Sequence, residues 1–455
     1  MDAALSYADE HFDTFVDELE ALLAIPSVST DSAYAAEVQR AAQWVAEHLR
    51  EQGVQHATVV ETDGHPVVYA EHLIGDDKPT VLVYGHYDVQ PPDPLDEWET
   101  PPFEPTQLNG TLYARGACDD KGQMFMHLKA LESYLESDQE PPVNLKFVIE
   151  GEEEIGSEHL APFLETYHDR LDADVVLISD TSMFSADEPS ITYGLRGLAY
   201  AEVTLEGPDR DLHSGVYGGA VENPANALAA LIADLHDHEH RITIPGFYEN
   251  VRPLTDAERE TYAELPFDED AWADAIGVEA VRTEGGYSVL ECLSARPTLD
   301  VNGIWGGYTG EGAKTVLPAK ASAKISMRLV PEQTPTEIYD KLEAHLDAQV
   351  PDTMTMTFRR LHGGRPVLVD RDSPAMQAAQ TAMGEVLGTE PKFVRHGGSI
   401  PVVADFKDRL GLDSVLMGFG LDTDAIHSPN EHFGLDRFRQ GIQSIIRFHT
   451  HYAEA

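Results

Sequence analysis

The chain has 455 residues, enough for two or three domains with an ample core. Its 80 acids against 31 bases, ten of them Lys, give a formal net charge of −49, which argues against nucleic acid or an anionic membrane as a partner. Hydrophobic residues make up 42% and charged residues 24%, a soluble globular composition, and no apolar run reaches the roughly 18 residues of a membrane span.

The acids are spread along the whole chain rather than gathered in a tail. Self-repulsion on this scale is costly in dilute salt and shrinks at about 1 M, where the Debye length is roughly 3 Å. A halophilic protein is the expectation. Two cysteines, Cys118 and Cys292, leave no room for a disulfide framework or a Cys-rich zinc site. The acidic N-terminal stretch lacks the basic and apolar regions of a signal peptide, so a cytoplasmic location is expected.

Taken in order, residues 5–24 carry a helical stripe from Phe12 to Leu23 that ends at Pro26, and 35–52 form a second amphipathic helix stopped by Gly53. Strands follow near Ala57–Val60 and Val67–Glu71, then the buried strand Val81–Gly85, whose end delivers His86 and Asp88. Pro91–Pro105 reads as an ordered loop. Thr111–Ala114 is a short strand leading to Cys118-Asp119-Asp120, with a helix over Met124–Leu135 behind it. Val143–Ile149 is another buried strand, ending in Glu150-Gly151-Glu152-Glu153-Glu154; a helix opens at Gly156-Ser157, and Val175–Ile178 is a strand ending in Ser179-Asp180. This alternation predicts an α/β layer with a mixed central sheet flanked by helices.

Past Pro189 the texture changes. A long strand is expected over Thr192–Leu205, then His213-Ser214-Gly215, a helix over Pro224–His236 and an irregular acidic stretch at 245–295. Strands near 298–304, 319–330 and 353–360, with a helix over 335–348, complete an inserted α+β domain. From Ser373 the α/β texture returns, through a strand near Lys392–Arg395, Gly397-Gly398-Ser399, a strand over Ser414–Gly418, the segment Ile426–Glu431 and a closing helix over 435–450. The expected division is 1–189 and 371–455 for one domain and 190–370 for the insert.

The polar groups at the strand ends are His86, Asp88, Asp119, Asp120, Glu153, Glu154, Asp180 and His427. Open α/β sheets place their sites at the carboxyl ends of strands. Two imidazoles with several carboxylates and no thiolate suit zinc or a related divalent ion, with acids enough for two metals and one bridging ligand. A carboxylate outside the ligand set would serve as general base toward water. Taken singly, each has a plainer role: an acidic run is usually a solvated face, and Asp119-Asp120 or Asp180 would cap a helix or turn a loop. Their order along successive strand ends is what favours a site.

The motifs GHYDVQP, YARGACDDKGQ, EGEEEIGSE, ISD, DLHSGVYGG, GAKTVLP, MRLVPEQTP, RHGGSIPV and IHSPNE, in this order and spacing, resemble the carnosinase-like dipeptidases. These belong to the di-zinc metallopeptidase and deacylase family that also holds acetylornithine deacetylase and succinyl-diaminopimelate desuccinylase. The resemblance spans about residues 15 to 450. It implies a metal-dependent hydrolase of dipeptides or similar small amides with a free carboxylate; the alternative on the same site is an N-acyl-amino-acid deacylase or desuccinylase. Two divalent ions are implied, zinc foremost, with manganese or cobalt also suited to the donors.

By the same resemblance, His86 and Asp180 would hold one metal, Asp119 would bridge, and Glu154 and His427 would hold the second. Glu153 would be the general base and Asp88 would orient His86. Asp120 would be structural, next to a cis Asp119–Asp120 peptide. The insert would be a lid and dimerisation domain, giving a homodimer in which His213 reaches the partner subunit's site to stabilise the oxyanion. Arg328 would clamp the substrate carboxylate, and Thr315, His362 and Ser399 would be further substrate contacts. Two departures from the family pattern stand out: Glu152, where an apolar residue is usual, and Cys118, where a small or hydroxyl residue is usual.

Overall fold

The computed structural model describes residues 1–54 and 56–455, which fall into two compact units. One holds Met1–Tyr193, Val369–Val394 and Asp405–Ala455; the other holds Gly194–Leu368 and Arg395–Ala404. The short segment Arg395–Ala404 therefore goes with the inserted unit, whereas sequence texture groups it with the returning α/β part. Its side chains explain why: Arg395 pairs with Glu258, and Ser399 Oγ donates to Arg196 O at 2.6 Å.

In the first unit, strands lie side by side in the order His56–Val60, Val67–His72, Asn144–Glu150, Thr80–His86, Val175–Ile178, Ser414–Leu416 and Ser190–Leu195. The four from Asn144–Glu150 to Ser414–Leu416 run parallel, and antiparallel strands flank them, so the sheet is mixed. Thr80–His86 is central and buried from Val81 onward, as expected for an apolar, β-branched run covered on both faces. Helix Lys121–Glu136 packs against it, and helix Leu435–Glu454 packs on that helix in turn. Gly85 lets the helix approach: a Cβ there would come within 2.7 Å of Met124 Cγ and 2.9 Å of Asp120 Oδ2. The missing side chain is what brings the Asp119–Asp120 corner up to the strand end.

The second unit is built on an antiparallel sheet ordered Thr298–Gly306, Lys320–Leu329, Gly197–Glu206, Thr355–Gly364. Strict alternation of burial along Gly197–Glu206 marks a sheet with one covered face. Ala201, Val203, Ile325 and Met327 form that face under helices Pro224–Ala233 and Pro335–Asp347.

Three expectations need correction. The stretch 5–24 is two helices, Asp2–Glu10 and Phe12–Leu23, broken at His11, which leaves helical geometry (φ −108°, ψ 12°) with its Nδ1 3.0 Å from Tyr7 O. The run Thr192–Leu205 is two strands, Ser190–Leu195 and Gly197–Glu206, because the chain changes sheet at Arg196. The acidic stretch 245–295 is not irregular throughout: it holds helices Asp256–Glu264, Glu269–Ala275 and Val289–Ser294, capped by Thr255, Asp268 and Ser288.

Candidate metal centre

The first unit gathers the sequence-predicted ligands into two clusters that share one residue. His86, Asp119 and Asp180 form one; Asp119, Glu154 and His427 form the other, with the donor atoms of each cluster within 4.8 Å of one another. Asp119 Oδ1 lies 3.1 Å from His86 Nε2, and Asp119 Oδ2 lies 2.9 Å from His427 Nε2. Asp180 Oδ2 completes the first cluster 4.0 Å from His86 Nε2, and Glu154 Oε2 stands 3.2 Å from His427 Nε2.

Local structure accounts for each placement. His86 ends the central strand with its ring fully buried. Its Nδ1 faces the Asp88 carbonyl oxygen at 3.1 Å and Asp88 Oδ1 at 3.4 Å. A hydrogen on Nδ1 satisfies both, which leaves the Nε2 lone pair for a cation. Asp119 precedes the helix held close by Gly85, and the Asp119–Asp120 peptide is cis. Asp120 stays out of both clusters and accepts the His86 amide at 3.1 Å. Glu153 and Glu154 sit on a single 3-10 turn that ends at Gly156, whose φ of 96° is left-handed. The carboxylate of Asp88 accepts both of their amides, at 3.2 Å from Glu153 and 3.1 Å from Glu154.

The donors fit a pair of divalent ions: each cluster offers one imidazole and two carboxylates, and no thiolate enters either. The charges fit as well. Burial, then repulsion from Asp120 and Asp119, pushes Asp180 well above the usual carboxylate range. Burial raises Glu153 to about 7, with Asp119, Glu154 and Asp88 adding to the rise against the pull of His86. Burial would raise Asp119 too, but hydrogen bonds from His427 and His86 outweigh it and hold Asp119 well below its ordinary value. Crowded acids of this kind are stabilised by a bound cation.

Glu153 stands apart from its neighbour. Its carboxylate makes no hydrogen bond among the described residues, whereas Gln90 Nε2 donates to Glu154 Oε2 at 2.8 Å. Glu152 is no solvated acid: it is buried and accepts from the amides of His65 at 3.0 Å and His159 at 3.2 Å. Cys118 is fully buried, and burial pushes its thiol up, so it packs as a small core residue.

His213, Thr315, Arg328, His362 and Ser399 all belong to the second unit. Two pairs meet there. His213 pairs in a two-residue ladder with Val316, and the Ser214 amide donates to Thr315 O at 3.1 Å. Arg328 Nη1 donates to Ser399 Oγ at 2.9 Å. His213 is exposed, and its Nδ1 accepts the Gly215 amide at 3.0 Å, so the hydrogen of the neutral ring sits on Nε2. His362 is exposed on a bulged stretch of its strand, edge-on to Tyr200 at 5.2 Å.

Sequence reasoning gave no role to Gln90, Arg115 or Glu431, although all three lie inside quoted motifs. Glu431 is fully buried and pairs with the equally buried Arg115 at 2.7 Å. Its pairing with residues more than 300 positions earlier left no local signal.

Comparison with known proteins agrees with this geometry. The Cys-Gly metallodipeptidase of Schizosaccharomyces pombe is 34% identical over 97% of this chain and 96% of its own length. Human Beta-Ala-His dipeptidase is 33% identical over 100% of this chain and 93% of its own. Among solved structures, human carnosine dipeptidase 1 superposes with a TM-score of 0.82 at 33% identity, covering 99% of this chain and 98% of that one. An M20 family metallo-carboxypeptidase from Sulfolobus solfataricus gives 0.85 at 34% identity, covering 97% and 99%. The profile of peptidase family M20/M25/M40 matches residues 82–451, from the central strand to the closing helix. The chain thus belongs to peptidase family M20/M25/M40.

Proposed function

We propose that this protein is a metal-dependent dipeptidase that cleaves the amide bond of small substrates ending in a free carboxylate. The observation that carries the reading is the pair of clusters hinged on Asp119, in a chain aligned end to end with named dipeptidases. A dipeptidase and a carboxypeptidase both act beside a free carboxylate, which is the chemistry shared by the relatives' names. The deacylase alternative draws no such support.

His86, Asp119 and Asp180 would hold one ion, and Asp119, Glu154 and His427 the other, with zinc the best match to the donors and manganese or cobalt next. Two such ions supply Lewis acidity, which polarises the scissile carbonyl and acidifies the attacking water. Glu153, whose carboxylate makes no hydrogen bond among the described residues, takes the proton from that water and passes it to the leaving amine. Asp88 keeps the base and the adjacent ligand in register. His213 donates from Nε2 to the oxyanion of the tetrahedral intermediate. Arg328 makes no ion pair among the described residues, so its guanidinium is free to clamp the substrate carboxylate, with Ser399 fixing its orientation. Thr315 and His362 are proposed as further substrate contacts.

A homodimer is part of the proposal, with His213 acting in the partner subunit's site. Edge strand Thr298–Gly306 supports it, for Val301, Ile304 and Trp305 are exposed along it. The inserted unit is then the lid and dimerisation domain. Two unpaired cysteines fit a cytoplasmic location, and among the described residues no helix is long and apolar enough to cross a membrane. The net charge of −49 fits a halophilic setting.

The test is a hydrolysis panel in high salt on metal-free and metal-loaded protein, setting Cys-Gly and β-Ala-His against N-acetyl and N-succinyl amino acids. Metal-dependent turnover of the dipeptides is expected. Turnover confined to the N-acyl compounds would overturn the reading.

A further inference from the structure

Glu431 lies four residues after His427, and its side chain turns back into the loop that precedes Asp119. It is fully buried, and both oxygens are used twice. Oε1 accepts the amides of Cys118 and Asp119, each at 3.0 Å. Oε2 accepts the Gly116 amide at 2.9 Å and Arg115 Nη1 at 2.7 Å. The loop 115–119 is therefore wrapped around a carboxylate brought from the far end of the chain, in the manner of a backbone nest around an anion.

Arg115 fixes the carboxylate in its turn. Its other terminal nitrogen, Nη2, donates to Pro91 O at 3.2 Å, and its guanidinium lies 5.5 Å from the ring centroid of Trp98. Asp119 is thus held at both ends: its amide by Glu431, and its two carboxylate oxygens by His86 and His427.

We propose that Glu431 is the positioning residue for the shared ligand Asp119, setting the orientation that lets one carboxylate serve two metal ions at once. The inference rests on the reading of Asp119 as that shared ligand. Glu431 belongs to neither donor cluster; it acts by fixing the amide from which the Asp119 side chain departs. A single stretch, His427 to Glu431, then both contributes a ligand to the second cluster and aims the ligand common to both.

Glu431→Gln keeps the shape but presents an amino group to two of the N–H donors. Cobalt titration of the metal-free protein, read by the visible spectrum and by competition with a chromophoric chelator, should show the second equivalent weakened about 10- to 100-fold, the scale typical of residues that orient a ligand. The dicobalt spectrum should shift, and kcat should fall while KM holds. Arg115→Met should move the same readouts in the same direction, and Arg115→Lys should restore part of the loss.

Arg296→Met is the control for destabilisation alone. It removes a buried cation paired with Glu284 in the second unit, whereas both clusters belong to the first, and should lower stability while leaving cobalt binding and its spectrum unchanged. Wild-type affinity and spectrum in folded Glu431→Gln overturn the proposal. If Glu431→Gln does not fold, the same result in Arg115→Met overturns it. A wild-type protein that takes fewer than two cobalt ions overturns the underlying reading of Asp119 as well, so the two failures are distinguishable.

Discussion

One oxygen of Asp88 accepts the amide of Glu153 at 3.2 Å, while its other oxygen accepts that of Glu154 at 3.1 Å. The aspartate at the end of the central strand therefore grips the turn carrying Glu153, the proposed base, besides facing the His86 ring. Asp88→Asn keeps one acceptor and turns an amino group toward the other amide. We expect kcat to fall about 10- to 100-fold, with metal content near that of the wild type. Metal analysis beside steady-state kinetics checks both; full activity in the variant would contradict this role.

The two adjacent glutamates should separate cleanly. Among the described residues the Glu153 carboxylate makes no hydrogen bond, whereas Glu154 stands 3.2 Å from His427. Glu153→Gln should lower kcat by about 10²–10⁴-fold, the usual scale for a general base, and keep two metal ions. Glu154→Gln should lose an ion. Metal counts in the opposite pattern would exchange the two roles.

Salt should stabilise the protein. Ion pairs at the surface weaken as salt rises, but with 80 acids to 31 bases the chain carries a large excess of negative charge, so relief of repulsion dominates. The unfolding midpoint should climb from low to molar KCl. A flat or falling series would remove the halophilic reading.

Stability should also decline in mild acid, in part through His449. Its ring is buried in the closing helix, neither nitrogen finds a partner among the described residues, and burial lowers its pKa to about 3. The unfolded chain takes up that proton near 6.5 and the folded one does not. The contribution is therefore fully present above about pH 6.5 and is lost as pH falls toward 3, by up to about 1.4 kcal/mol per pH unit. His449→Phe should flatten the fall between pH 6.5 and 4 in denaturant titrations. An unchanged slope would show that the ring is already charged or reaches water.

Much of this was legible in the sequence, for physical reasons that differ by element. The buried strand ending at His86 announced itself because a run covered on both faces has to be apolar throughout. The break at Arg196 did not, because apolar alternation carries on across it while the backbone changes partners. The helices of the 245–295 stretch left a signal that was passed over: Thr255 with Glu258, and Ser288 with Glu291, are capping boxes at the expected spacing. Glu431 and Arg115 were out of reach in another way. Each reads as an ordinary charged residue, and only their burial against one another, from opposite ends of the chain, gives them a role.

The sharing of Asp119 has a consequence for how the centre is born. Every donor of the first cluster lies in the stretch from His86 to Asp180, before the inserted unit begins. A chain still leaving the ribosome has all three once Asp180 has emerged. The second cluster stays one donor short, and the loop before Asp119 lacks its central carboxylate, until His427 and Glu431 follow. Synthesis from one end to the other thus imposes a sequence of completion, in which the half closed early waits on the last stretch of the polypeptide to become a pair.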